Sequence, residues 1–343
     1  MTQINSNRIK WVDMAKGIAM LMVIVGHTTK VSKPPLAILT ITAILYSFHI
    51  PVFIILSGYT SKCVDSKEKL VSDFKKSLKK LFIPAYIWRL VIMLLPVGGK
   101  FHHTALQLTL CALFANAVPY ELNDISIPGF GAIWFLVMLF VLKNMYNLIN
   151  YISKGKFMTW ISIGVTAVGV LVGQKICLPF SIDVAMAAMI FYHIGQKLKE
   201  RKLTFSAKKL CISLLIWLGT FSVEFFVFNS YFDLGGRLQP LFPLPYITAA
   251  AGSLTCMYVC MYLCEHGRSI LRFFTDQISF IGCNSMTLYI IHHLDQLWYI
   301  SNPNMLIRLL IRFAQNLGLF YAFIFLRDKF RERKKEPGSK NAQ

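Results

Sequence analysis

Charge is scarce in this chain of 343 residues, and acidic charge most of all: 16 Asp and Glu stand against 36 Lys and Arg, and charged residues make up only 15%. Hydrophobic residues make up 55% and aromatics 14%, which excludes an ordinary soluble globule. A formal net charge of +20 would point a soluble protein toward nucleic acid. Here the basic residues fall mainly between long apolar runs, where the enrichment of Lys and Arg in cytoplasmic loops accounts for them. No nucleic-acid partner is expected, and the lipid bilayer takes that place. HExxH and paired CxxC motifs are also missing, so no metal site is expected. The eight cysteines are scattered. Cys256, Cys260 and Cys264 share one helical face, a spacing open to a soft metal or to small side chains lining a helix contact, and the contact is the expected reading. Internal repeats, soluble domains and low-complexity linkers are lacking before the last dozen residues. Arg8 and Lys10 precede the first apolar run, but no small-x-small cleavage site follows, so an uncleaved first helix is expected.

What is present is a series of apolar runs near residues 12–29, 38–60, 81–97, 131–149, 157–175, 179–197, 209–229, 244–264, 278–299 and 305–326. Each approaches the roughly 20 residues that cross a hydrocarbon core of about 30 Å as a helix. The loop at 61–80 carries Lys62, Lys67, Lys69, Lys75, Lys76, Lys79 and Lys80, and 197–209 carries Lys197, Lys199, Arg201, Lys202, Lys208 and Lys209. Both loops read as cytoplasmic, as does 150–156 with Lys154 and Lys156. Segment 117–131 has no Lys or Arg and carries Glu121 and Asp124. A full crossing by the weaker run at 103–118 would invert every later loop, so that run reads as re-entrant or interfacial on the outer side. The expected fold is therefore an all-α polytopic membrane protein of about ten transmembrane helices with both termini cytoplasmic. One membrane domain spans 1–326, followed by a basic, disordered tail over 327–343.

Ionisable residues inside such runs are costly unless paired or facing an aqueous cavity. Asp13 and Lys16 at the inner end, and Asp183 and Asp295 toward outer ends, are placed to snorkel. His27, His49, Arg89, Glu224 and His292 are harder to dismiss. Lys16 and His27 lie eleven positions apart, so one helix carries them on nearly the same face, about 16 Å apart along its axis. The pair reads as a cation near the cytoplasm and a titratable imidazole in the outer half, or as a snorkelling anchor and a packing histidine. In "YSFHIPVFIILSGYTSK" (46–62), His49 precedes a proline-broken helix of the kind that lines cavities, and Ser57-Gly58 admits a second helix closely.

These residues carry a resemblance to the membrane-bound acyltransferase-3 family of O-acyltransferases. "WVDMAKGIAMLMVIVGH" resembles its first-helix signature of Asp, Arg or Lys, ten residues and His. "SFHIPVFIILSGY" resembles its second-helix pattern, "KKLFIPAYIW" the basic approach to its third helix, and "AIWFLVMLF" its Trp-Phe-Leu element. "FIGCNSMTLYIIHH" is similar to a Gly-x-Asn-Ser, Tyr, His motif of the branch that includes fucose acetylases. The resemblance implies transfer of an acyl group, commonly acetyl from acetyl-CoA, to a hydroxyl of a surface polysaccharide or its lipid-linked precursor in a bacterial inner membrane. Capsule, exopolysaccharide and O-antigen are all compatible acceptors.

Carried over, His27 is the catalytic histidine and Lys16 its basic partner. Lys79 and Lys80 match the basic residues before the third helix, where the family often has an Arg-x-x-Arg pair that this chain lacks. The chemistry needs a base for the hydroxyl, donors for the oxyanion and cations for the CoA phosphates. His27 suits the first need, and Arg89 and Lys16 suit the donor. Glu224 orients His27, holds a sugar hydroxyl, or pairs structurally with Arg89. His49, Trp134 and His292 are candidates for acceptor contact, with buried hydrogen bonding the alternative for the two histidines. A transporter or flippase of glycan precursors is the competing class. It would be expected to show paired broken helices in two repeated halves, and Pro51 and Pro84 have no counterpart pair in the second half.

Overall fold

The computed structural model describes residues 8–29, 34–62, 64–94, 104–268, 270–295 and 304–335. Cys63, the ends of the expected spans at 95–97 and 296–299, and tail residues 336–343 lie outside them. The first helix, α1, spans Lys10–Thr29, and α2 (Leu36–Tyr46) is followed after two residues by α3 (His49–Thr60). Next come α4 (Lys67–Ser77), a π turn at Leu78–Phe82, α5 (Ile83–Leu94) and α6 (Ala105–Phe114). A hairpin of β1 (Tyr120–Leu122) and β2 (Ile125–Ile127) leads into α7 (Trp134–Ile152), α8 (Met158–Gly173), α9 (Ile182–Ala187) and α10 (Met189–Glu200). The chain ends with α11 (Ala207–Ser222), a second π turn at Val223–Val227, then α12 (Leu244–His266), α13 (Ile270–Cys283), α14 (Ser285–Leu294) and α15 (Met305–Lys335). Six helical stretches among the described residues are long and apolar enough to cross a membrane: Lys10–Thr29, Leu36–Thr60, Trp134–Ile152, Ala207–Val227, Leu244–His266 and Met305–Arg333. This is an all-α membrane protein with one small hairpin.

The first helix is the hub, packing on α2, α3, α12, α13, α14 and α15. Two crossings are so close that only glycine fits. A Cβ on Gly282 would lie 1.6 Å from the Asp13 carbonyl oxygen, and one on Gly17 would lie 2.1 Å from that of Ile278. Where α3 meets α10, a Cβ on Gly58 would lie 2.2 Å from the Tyr192 carbonyl oxygen, and one on Gly195 would lie 2.0 Å from that of Ile55. The Ser57-Gly58 pair is thus a backbone-to-backbone helix contact, the arrangement small residues permit in membranes. On α12, Cys264 Sγ lies 3.6 Å from Met14 Sδ of α1.

Several expected single helices are broken. The run at 278–299 divides at Asn284, whose side chain donates to the Phe280 carbonyl at 3.1 Å and accepts from Arg327 Nη1 at 3.1 Å. An Asn side chain competing for backbone groups ends a helix in this way. The run at 179–197 begins its helix only at Ile182, because Phe180 and Ser181 are left-handed, and it breaks again at Ala188. The weak run at 103–118 forms only the ten residues of α6, too short to cross at 1.5 Å per residue. The hairpin that follows turns on Asn123 and Asp124, both with positive φ, as a two-residue type I′ turn requires. Residues 327–335, expected in a disordered tail, continue the helix of α15.

The snorkelling reading of the aspartates is corrected. Asp183 is fully buried and ion-paired with Arg237, Nε to Oδ2 at 2.7 Å. Asp295 is buried and ion-paired with Arg312 at 2.6 Å. Asp13 is buried too and accepts from Arg8 at 3.0 and 3.1 Å.

Candidate active site

A cavity of about 380 Å³ opens where the C-terminal end of α1 meets the α2–α3 break, the start of α7, the 233–236 loop, α14 and α15. Its lining includes His27, His49, Trp134 and His292, four sequence candidates carried by four different helices. Each arrives for a local reason. His27 lies in the last turn of α1 and is exposed there. His49 opens α3, with Pro51 two residues on in the first turn, where a missing N–H costs least. Its Nδ1 lies 2.7 Å from the Leu45 carbonyl oxygen, which can only accept, so Nδ1 carries the proton and Nε2 is the acceptor. Trp134 opens α7 and is buried. Tyr289 of α14 donates to the Ala132 carbonyl and ties that helix to the start of α7.

His292 is held by a network centred on Asp295. Its Nδ1 lies 3.0 Å from Asp295 Oδ2. Arg312 donates from Nε at 2.6 Å and from Nη2 at 2.9 Å to the same carboxylate, and Asn316 Nδ2 donates at 3.1 Å. Arg312 Nη1 also reaches Thr28 Oγ1, the neighbour of His27, at 3.4 Å. The rings of His27 and His292 lie 5.1 Å apart between centroids. Helices α1, α14 and α15 are thus pinned together around two adjacent imidazoles.

Asp233, Tyr46 and His293 complete the lining. Asp233 Oδ1 accepts the Gly236 N–H at 2.9 Å, which turns the 233–236 loop back on itself. The Tyr46 ring meets the His49 ring edge-on at 4.9 Å. Gly131, at φ 78°, faces His293, where a Cβ would come within 2.9 Å of Cε1. Carboxylate, indole and phenol around one cavity are groups that hold hydroxyl-bearing rings through hydrogen bonds and stacking.

The remaining candidates do not line the cavity, although Arg89 is near enough to His293 to interact with it electrostatically. Lys16 is half-buried beside Asp13, Arg8 and Cys283 near the other end of α1. Lys79 and Lys80 are exposed on the first π turn. Arg89 does not pair with Glu224. It donates to Cys111 Sγ at 3.4 Å and lies over the Phe130 ring at 5.7 Å, and its buried Nε has no hydrogen-bond partner. Glu224 sits buried on the second π turn, accepts from Thr248 and is absent from the cavity lining, so it does not orient His27.

Sequence reasoning passed over Arg312, Asn316, Tyr46 and Asp233, and it set Asp295 aside. Arg312 met the criterion that found the others, an ionisable residue within an apolar run. Among the described residues, no group of His, Cys, Asp or Glu is arranged to hold a metal ion.

Comparison with known proteins returned no matching curated protein and no matching solved structure. The acyltransferase-3 family, described as an acyltransferase domain, matches residues 9–326. That match takes in α1, the α2–α3 break, the start of α7, α14 and the cavity-facing part of α15, and the protein is accordingly a membrane acyltransferase that belongs to the acyltransferase-3 family.

Proposed function

We propose that the protein is an O-acyltransferase that moves an acyl group, acetyl foremost, from acyl-CoA to a hydroxyl of a cell-surface polysaccharide or its lipid-linked precursor. The observation that carries this reading is the convergence of His27, His49, Trp134 and His292 on one cavity from four helices. An imidazole with an unperturbed pKa near neutrality is the ordinary base for a hydroxyl proton. In this reading His27 takes that proton, Trp134 and His49 bind the acceptor, and acetyl-CoA is a substrate that visits the site. Lys16, Lys79, Lys80 and Arg89 are assigned to the donor, whose phosphates call for cations. The donor is cytoplasmic while His27 stands about 16 Å along α1 from Lys16. The pantetheine arm is long and thin enough to enter between helices, so its thioester is proposed to reach the cavity from within. A bacterial cytoplasmic membrane, ten spans and two cytoplasmic termini complete the proposal.

The test is the O-acetyl content of surface glycan in cells lacking the gene, complemented with wild type or His27→Ala at matched membrane abundance. Esters restored by wild type and absent with the variant are expected. Acetylation that continues without the gene while glycan export fails would overturn the transferase and favour a transporter.

A further inference from the structure

Building on the transferase reading, we propose that His292 is a second catalytic histidine, which donates a proton to the departing thiolate while His27 accepts one from the acceptor hydroxyl. The argument starts from Asp295. Its carboxylate is buried and takes up His292 Nδ1–H, two N–H groups of Arg312 and one of Asn316. That many bonds leave the carboxylate no freedom to turn, so the imidazole it holds is fixed as well. With Nδ1 committed to Asp295, Nε2 is the nitrogen of His292 left to work in the cavity. This is how a carboxylate orients an imidazole and supports its doubly protonated form in a Ser-His-Asp triad. A histidine that served packing alone would not need a guanidinium, an amide and a carboxylate from two helices to set its orientation.

The step balances with two histidines. The hydroxyl proton goes to His27 as the hydroxyl oxygen bonds to the thioester carbonyl carbon. The carbon–sulfur bond then breaks with its electron pair on sulfur, and Nε2–H of His292 protonates the thiolate. His27 now holds one proton more and His292 one fewer. Return of that proton from His27 to His292 then restores both, directly or through one water, between rings whose centroids are 5.1 Å apart. Arg312 and Asn316 act through Asp295 and are positioning residues.

The test uses the full-length protein in lipid nanodiscs, with surface glycan stripped of its esters by mild alkali as acceptor. Two donors are compared: acetyl-CoA, whose alkyl thiolate needs a proton to leave well, and S-(4-nitrophenyl) thioacetate, whose stabilised thiolate does not. Ester formation by wild type from acetyl-CoA tests the transferase reading by itself, and its absence would remove this proposal with that reading. With wild type active, His292→Gln should lower kcat with acetyl-CoA by about a hundredfold, within the range of acid–base catalysis, at unchanged KM. The same variant should lose far less with the nitrophenyl donor. Asp295→Asn should repeat that donor dependence, because it acts through the same ring, and the His292→Gln result stands alone if Asp295→Asn does not accumulate in the membrane. An equal loss on both donors, or none on either, would overturn the assignment.

Discussion

A charged side chain inside a membrane protein persists only where something pairs with it, and the pairs here differ in what they hold together. Arg237 and Asp183 form a buried bidentate pair at 2.7 and 3.2 Å, and Arg237 also donates to Asn116 at 3.0 Å. Removing one side strands the other charge, so Asp183→Ala should destabilise the fold by about 3–5 kcal/mol, read as a lower unfolding temperature in detergent. An unchanged temperature would mean that water already reaches the guanidinium. Glu224 is the opposite case, because its described partner is the neutral hydroxyl of Thr248. Glu224→Gln keeps a side chain able to accept that bond, so activity should fall by less than about tenfold, the worth of one ordinary hydrogen bond. A collapse to the level of His27→Ala would place Glu224 in the chemistry after all. At this scale the sequence was legible in part. His27, His49, Trp134 and His292 were marked by motif or by cost. Asp295 was dismissed because closeness to a helix end looks the same in sequence whether the side chain snorkels or turns inward to an arginine seventeen residues on.

Helix existence was readable from apolar runs, but the interruptions inside them were not. The breaks at Ser47–Phe48, Ala188 and Asn284 lie in segments whose hydropathy is continuous, and each has at or beside it a hydrogen bond to a group distant in sequence, Ile190 N–H to Thr166 Oγ1 in the second case. Trp217 Nε1 donates to Ser47 Oγ at 3.1 Å and Arg327 to Asn284 at 3.1 Å. Glycines show a similar gap, because spacing cannot say which of them a neighbouring backbone touches. The structure separates them sharply. Gly282 of α13 lies against the Asp13 carbonyl, whereas a Cβ on Gly219 of α11 would meet nothing within 4 Å. Gly282→Ala should therefore cost at least the 1–3 kcal/mol of ordinary overpacking, and it should lower activity with stability because α13 leads directly into α14 and His292. Gly219→Ala should be neutral or stabilising by up to about 1 kcal/mol, the helix-propensity difference. Thermal unfolding of the two single variants checks both signs, and equal effects would refute the close crossing.

Across the whole molecule the lysine-rich loops and the histidine cavity lie toward opposite ends of α1, where Trp11 packs on Tyr59 and Lys199 reaches the Ser61 carbonyl at one end and His27 lines the cavity at the other. Under the proposed function this separation sets how donor and acceptor meet. Lysines from the 61–80 and 197–209 segments belong with Lys16 on the donor side in the proposed topology, and the 117–119 and 233–236 loops wall the cavity on the other. A lysine bias of this size is a strong determinant of orientation, because loops rich in Lys and Arg are retained in the cytoplasm. The arrangement makes a directional prediction. In a cysteine-free background, single cysteines at Lys69 and Lys208 should react with a membrane-impermeant maleimide only in inverted vesicles, and cysteines at Glu121 and Lys175 only in intact cells stripped of outer layers. The same vesicles should consume acetyl-CoA only when it is supplied on the face that labels Lys69 and Lys208. Labelling of all four positions from one side would invert part of the bundle and bring the cavity to the cytoplasm. The donor would then have no membrane to cross, and the distance between Lys16 and His27 along α1 would be only the length of a bound pantetheine arm.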